Sequence, residues 1–191
     1  QQFKLKDEQR VVLERKLKSA QESGSELIPV CLQLLELDPD HAYALAVISW
    51  LSFEQQNYEA SAGYFLRMLK LDVGDISART GLVYSLIKQD KLDAALQELE
   101  ADYQKTMELT LLKSDIHQQK ATIYYQGMRY AEAEEQIQLS LQINPDNSSI
   151  RELNVWSLYH QGKKLESLRE LQVVWKNQPS SAAAAGMLLH Y

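Results

Sequence analysis

Apolar residues in this chain recur at intervals of three and four, the spacing of amphipathic helices, in short runs parted by polar breaks. Asp38–Asp72 is the plainest stretch. Asp38-Pro39 cannot continue a preceding helix, because proline fixes φ and lacks an N–H. A periodic run, Ala42–Phe53, follows, then the polar break Glu54-Gln55-Gln56-Asn57, then a second run, Tyr58–Leu71. The pattern predicts two short helices packed antiparallel. Read along the whole chain, it predicts helices at 7–22, 25–37, 42–53, 58–71, 75–88, 91–105, 110–126, 130–143, 147–160 and 164–177. A last one starts from Ser180 or Ser181, which makes about 11 helices in an all-α chain.

The pairs repeat. Ser61, Ala95, Ala133 and Ser167 are spaced by 34, 38 and 34 residues, and Ser49, Val83, Ala121 and Val155 step identically. Apolar Phe65, Leu99, Ile137 and Leu171 each follow the first series by four. Pro145 and Pro179 lie 34 apart, and Pro39 precedes Pro145 by three such periods plus four residues. One period and one four-residue insertion account for every series. The insertion falls between Leu99 and Ala121, where residues 107–112 hold no proline or glycine, so lengthened helices rather than a loop are expected.

A helix-turn-helix period of this length resembles the tetratricopeptide repeat (TPR). In Ala42–Asp75 the resemblance rests on Leu45, Ile48, Ser49, Tyr58, Ser61, Phe65 and Met68. In Ser114–Asn147 it rests on Tyr124, Gly127, Tyr130, Ala133, Ile137 and Asn144-Pro145, and in Ser148–Ser181 on Gly162, Ser167, Leu171 and Pro179. Val73 stands in place of a closing proline. Arg79, His117 and Arg151 fill a site usually large and apolar, and the arginines are expected at an edge of the packing or with their heads snorkelled to water. The resemblance implies a right-handed α-solenoid, one domain over 1–191. Its repeats run 7–41 (degenerate), 42–75, 76–109 with the insertion before 114, 114–147 and 148–181, and a terminal helix spans 182–191. Gly24 reads as the stop of the first helix and Ser25 as the cap of the second. That Gln1 is not an initiator methionine, and that Tyr191 breaks off inside what reads as a further first helix, points to a piece of a longer protein.

Composition narrows the function. An apolar share of 45 % suits a chain in which each pair buries its face on neighbours. With 26 acidic and 20 basic residues the net charge is −6, and no basic run concentrates, which argues against nucleic acid. No apolar run is long enough to cross a membrane. Cys31 has no second cysteine to pair with and reads as a buried small hydrophobe. The acidic run Glu98, Glu100 and Asp102 reads as a solvated face, because hard cations want oxygens converging from a loop. His41, His117, His160 and His190 have no metal-ligand spacing, and neither a phosphate loop nor a marked nucleophile is present. No catalytic residue, metal or cofactor is expected.

The resemblance also implies where a partner would bind, since the first helix of each TPR unit lines a concave groove. Carried residue by residue onto this chain, that wall includes Tyr43, Ala46, Trp50, Phe53 and Glu54, then Ser77, Thr80, Tyr84, Ile87 and Lys88. It continues with Asp115, Gln118, Thr122, Tyr125 and Gln126, then Glu152, Trp156, Tyr159 and His160. Aromatic residues recur on it, and Tyr and Trp combine apolar area with a polar handle. The candidate binding residues are Tyr43, Trp50, Phe53, Tyr84, Lys88, Tyr125, Trp156 and Tyr159. Their alternative role is packing between helices. Of the cations a carboxylate clamp would need, only Lys88 is in place, and Arg79 and Arg151 lie one site off. A peptide or partner helix with apolar anchors fits better.

The reading is therefore a protein-interaction scaffold for a protein or peptide partner. Two other uses of such repeats stay open: a bacterial envelope module guiding an exopolysaccharide, and a regulatory arm of a fused glycosyl- or sulfotransferase. Self-association through an exposed terminal helix, which carries Met187, Leu188 and Leu189, is a further expectation. The cytoplasm and a bacterial periplasm both fit.

Overall fold

The computed structural model describes residues 2–23, 27–100, 106–178 and Gly186. Every described element is a helix: α1 (Gln2–Ser23), α2 (Leu27–Leu37), α3 (Ala42–Glu54), α4 (Tyr58–Leu71), α5 (Ile76–Lys88), α6 (Leu92–Glu100), α7 (Met107–Gln126), α8 (Tyr130–Ile143), α9 (Ser148–His160) and α10 (Lys164–Asn177). The expected terminal helix, the Gly24 stop, the Ser25 cap and the end of the sixth helix at 101–105 lie outside the described residues. The chain is an all-α stack of helix pairs in two compact units, Gln1–Gln104 and Lys105–Tyr191. In the first, α1 to α6 pack each on the next. In the second, α7 to α10 do the same.

The repeat fixes where the helices begin. His41, Asp75 and Asn147 cap α3, α5 and α9, accepting from the backbone N–H of Ala44 (3.1 Å), Ala78 (2.9 Å) and Ile150 (3.2 Å). A side-chain acceptor there satisfies one of the N–H groups a helix start leaves open. The first helix after the insertion departs from this. Its cap is Thr106, accepting from Leu109 N–H at 3.2 Å, so α7 runs 20 residues where α3, α5 and α9 each run 13. The insertion is absorbed in a longer helix, because nothing in 107–112 interrupts one.

The turns inside the pairs repeat too. Gln56, Asp90, Met128 and Gly162 have φ of 61°, 58°, 61° and 77°, at sequence steps of 34, 38 and 34. Only Gly162 is a glycine. Gly127, matched above to the repeat's turn, has φ of −78°, and Met128 takes the left-handed position in its place. Two of these turns are tied down from the same position. Gln89 Nε2 donates to Tyr58 O (3.0 Å) and Gln161 Nε2 to Tyr130 O (3.1 Å).

Arg79 and Arg151 correct the expectation of heads turned to water, and His117 fills the equivalent site. Arg79 is buried; its guanidinium donates to Val73 O (2.9 Å) and pairs with Glu98 (3.3 Å). Arg151 donates to Pro145 O (2.9 Å) and pairs with Glu170 (2.7 Å), and His117 Nδ1 meets Gln136 Oε1 at 2.9 Å. In all three the partner lies 19 residues ahead on the second helix of the pair. The two arginines thus occupy a site usually apolar with their charges paired there, as burial requires.

Small residues allow close approach between pairs. Phe65, fully buried, lies over Gly81, where a Cβ would come within 2.2 Å of the ring. The second unit reverses the sizes, with Leu153 packed on the cluster that holds Ile137. Hydroxyls stitch the pairs as well. Ser61 and Ser167 donate to Ser49 O (2.9 Å) and Val155 O (2.8 Å), and Ser61 also meets Ser85 Oγ at 3.0 Å.

Candidate functional site

In the first unit, α3 places Trp50 and Phe53 one turn apart, so both rings leave the helix on one side. Trp50 meets Phe65 edge-on (5.0 Å, 77°) and Phe53 at 6.1 Å. Phe53 in turn meets Tyr58 at 5.2 Å and, across on α5, Tyr84 at 6.4 Å. The structure therefore brings Trp50, Phe53 and Tyr84 together. Trp50 also packs against the core cluster that holds Phe65 and Leu82. Tyr84 keeps 36 % of its surface in solvent. Tyr43 keeps 49 % and sits seven residues before Trp50, about 10 Å away along α3. Lys88 ends α5, exposed, one turn beyond Tyr84.

The second unit builds a denser cluster. Tyr125 near the end of α7 meets Tyr130 of α8 at 5.4 Å and His160 of α9 at 6.0 Å. His160 stacks on Tyr130 (4.8 Å, 16°) and lies nearly parallel to Trp156 (6.2 Å, 27°). Tyr159 meets Trp156 (6.2 Å) and His160 (5.6 Å) edge-on. Burial pushes the Tyr125 hydroxyl above its ordinary range, with Tyr130 adding to it. Trp156 and Tyr159 also pack on Val155, Leu171 and Val174. Edge-on pairs of this kind are worth about 0.5–1.5 kcal/mol each beyond the area they bury. The rings are thus held in place by one another.

Each cluster includes residues the sequence reading did not single out as anchors. Tyr58 and Tyr130 open the second helices at equivalent repeat positions, shared with Leu92 and Lys164, and so stand outside the first-helix wall that the resemblance implies. His160 was placed on the wall but not among the anchors. Its ring stacks with Tyr130 and Trp156 and meets Tyr125 at a tilt.

Elsewhere the described residues offer little chemistry. Burial pushes the Cys31 thiol up to about 11, so it is protonated and unreactive at neutral pH. No group of three or more His, Cys, Asp or Glu among the described residues is placed to hold a metal ion. No described helix is long and apolar enough to cross a membrane. Two open grooves are of about 540 Å³, beside Glu134, Gln138 and Leu139, and about 470 Å³, beside Val12 and Leu37; neither is lined by a ring of the two clusters.

No protein-family model and no curated protein sequence matches the chain. Solved structures do resemble it. It is similar to MamA, with a TM-score of 0.59 at 14 % identity over 92 % of this chain and 95 % of that one. It is similar to MamA from Desulfovibrio magneticus RS-1, with 0.55 at 13 % identity over 91 % and 97 %. The third is YrrB, described as a TPR protein with an unusual peptide-binding site, with 0.55 at 17 % identity over 91 % and 87 %.

Proposed function

Taking as premise that the chain has a tetratricopeptide-repeat fold, we propose that it is a protein-interaction scaffold that holds a peptide or a partner's helix on aromatic faces of its first helices. The observation that carries this is the ring contact between successive first helices in each unit, Phe53 with Tyr84 and Tyr125 with His160. Phe53 and Tyr125 are half-buried, Tyr84 and His160 exposed, and all four are pre-set by ring contacts, so a partner gains apolar contact with little further ordering cost. Tyr43, Tyr84 and Lys88 add exposed area and a cation to the first face, and Tyr125, Trp156 and Tyr159 form the second. The peptide-binding site ascribed to YrrB supports the same use of the fold. Anchors of this type are where binding free energy concentrates, and loss of one costs about 2 kcal/mol or more.

The test is a pull-down with the full chain as bait beside a variant carrying Trp50→Ala, Tyr84→Ala and Trp156→Ala. Circular dichroism and thermal unfolding establish that the variant is folded. Partners lost only with the variant support the reading. A folded variant that keeps every partner overturns it.

A further inference from the structure

We propose that the outer face of α1 pairs antiparallel with the same face of a second copy of this chain, Val11 against Val12 and Glu8 against Arg15. This goes beyond the reading of the ring clusters and uses none of their residues.

The inner side of α1 is already committed. Leu17 and Ala20 are buried, and Leu13 packs on the core cluster that holds Leu34 and Leu45. Arg10 lies 3.8 Å from Asp7 and 3.5 Å from Glu14, and Glu14 meets His41 at 3.1 Å. The side away from Leu17 carries Glu8, Val11, Val12 and Arg15, whose steps of three, one and three gather them on one face of the helix. All four are exposed, Val12 most of all at 62 % and Val11 at 39 %. Among the described residues neither Glu8 nor Arg15 has an ion pair, and neither do Lys16, Lys18 and Glu36.

The order of these residues is self-complementary. Glu8 stands three residues before Val11, and Arg15 stands three after Val12. A two-fold axis between the valines sets each Val11 opposite Val12 of the second copy. The same axis sets each Glu8 opposite Arg15 of the second copy, at the two ends of a contact about 10 Å long. A parallel pairing would oppose Glu8 to Glu8 and Arg15 to Arg15, which like-charge repulsion disfavours. Beside the valines opens the groove of about 470 Å³, lined by Val12, Leu13 and Leu37 together with Glu8 and Glu36. The antiparallel arrangement brings the basic half of the second copy's α1, with Arg15, Lys16 and Lys18, to the side of these two carboxylates. Phosphate-rich partners would meet repulsion at the same place. Two valines and two exposed ion pairs from each copy make a small contact, so the dimer dissociates on dilution and weakens with salt.

The test is sedimentation equilibrium of the full chain in low salt, from about 5 μM to about 500 μM, the range in which a small interface associates. The mass should rise from monomer toward dimer. Glu8→Arg and Arg15→Glu each set like charges opposite one another and should each weaken the dimer at least about tenfold. An equimolar mixture of the two single variants regains opposite charges at both contacts and should associate as the original chain does. The double variant, with the charges exchanged, should do the same. A monomer at every concentration, a dimer that survives both single variants, or a mixture no stronger than its components overturns the inference. No ring residue changes in these variants, so failure here leaves the scaffold reading to be judged by its own pull-down.

Discussion

Gly81→Ala is the most informative single change to the first unit. A methyl group there would lie 2.2 Å from Phe65 Cζ and 2.5 Å from both Cε atoms. Carbon contacts settle near 3.5 Å, so the ring would have to withdraw by about 1.3 Å. It has nowhere easy to go. Phe65 is fully buried and is held edge-on by Trp50 at 5.0 Å. Overpacking of this kind costs about 1–3 kcal/mol, while replacing a mid-helix glycine with alanine returns about 0.5–1 kcal/mol. A ring this confined puts the outcome in the upper part of that range, a net loss of about 1–2 kcal/mol. Phe65→Leu alone leaves a void and costs about 1–2 kcal/mol. Combined, the two changes relieve each other, so the double variant should be more stable than the sum of the single effects implies, by at least about 1 kcal/mol. The assay is urea unfolding followed by circular dichroism. Tryptophan fluorescence read alongside it should report the displaced Trp50. A Gly81→Ala protein as stable as the original, or strictly additive effects, would refute the close approach of α4 and α5 at this point.

Four further outcomes follow from single residues. Ser157 is buried with no partner for its hydroxyl, whereas Ser85, at the equivalent position, meets Ser61 24 residues earlier; the residue 24 before Ser157 is Ala133. Ala133→Ser should therefore add about 0.5–1.5 kcal/mol in urea unfolding, unless the extra oxygen overpacks the site. Met128 holds a left-handed conformation that costs a side chain about 1–2 kcal/mol, so Met128→Gly should raise the midpoint of urea unfolding, and a lowered midpoint would contradict the turn geometry. Cys31 should resist a water-soluble disulfide reagent in the native protein and react at the rate of opening, and fast labelling would contradict its burial. Asp115 binds its proton more tightly folded than unfolded, so its contribution to stability is present at low pH and lost as pH rises through the raised folded value. The stability advantage of Asp115→Asn, measured by thermal unfolding, should accordingly grow as pH rises from the ordinary carboxylate range through the raised folded value and then level off.

The helix pairs were legible in the sequence because the period carries them: residues that face the same neighbours recur at 34, 38 and 34. The extension of α7 was legible for the same reason, as a run with no breaker in it. The polar site at Arg79, His117 and Arg151 was seen but its solution was not. Each side chain turns inward to a partner 19 residues on, and pairing across a helix boundary has no signature in the hydrophobic pattern. Glycine identity misled at Gly127, since the fold sets the left-handed residue by position in the turn and Met128 occupies it. For the ring clusters, the pattern of first helices leads to Trp50, Phe53, Tyr84, Tyr125, Trp156 and Tyr159, whereas Tyr58 and Tyr130, which complete the clusters, stand on second helices outside that pattern.

The most direct test of the proposed binding faces is site-specific photo-crosslinking. Benzoylphenylalanine is placed at Tyr84 and Tyr125 on the two faces, and at Leu66 and Leu139, which are exposed elsewhere and, for Leu139, beside the larger open groove. Partner adducts are expected from Tyr84 and Tyr125 and not from the other two. Adducts from Leu139 or Leu66 with none from Tyr84 or Tyr125 would put the binding surface on another face of the helices and contradict the proposed function.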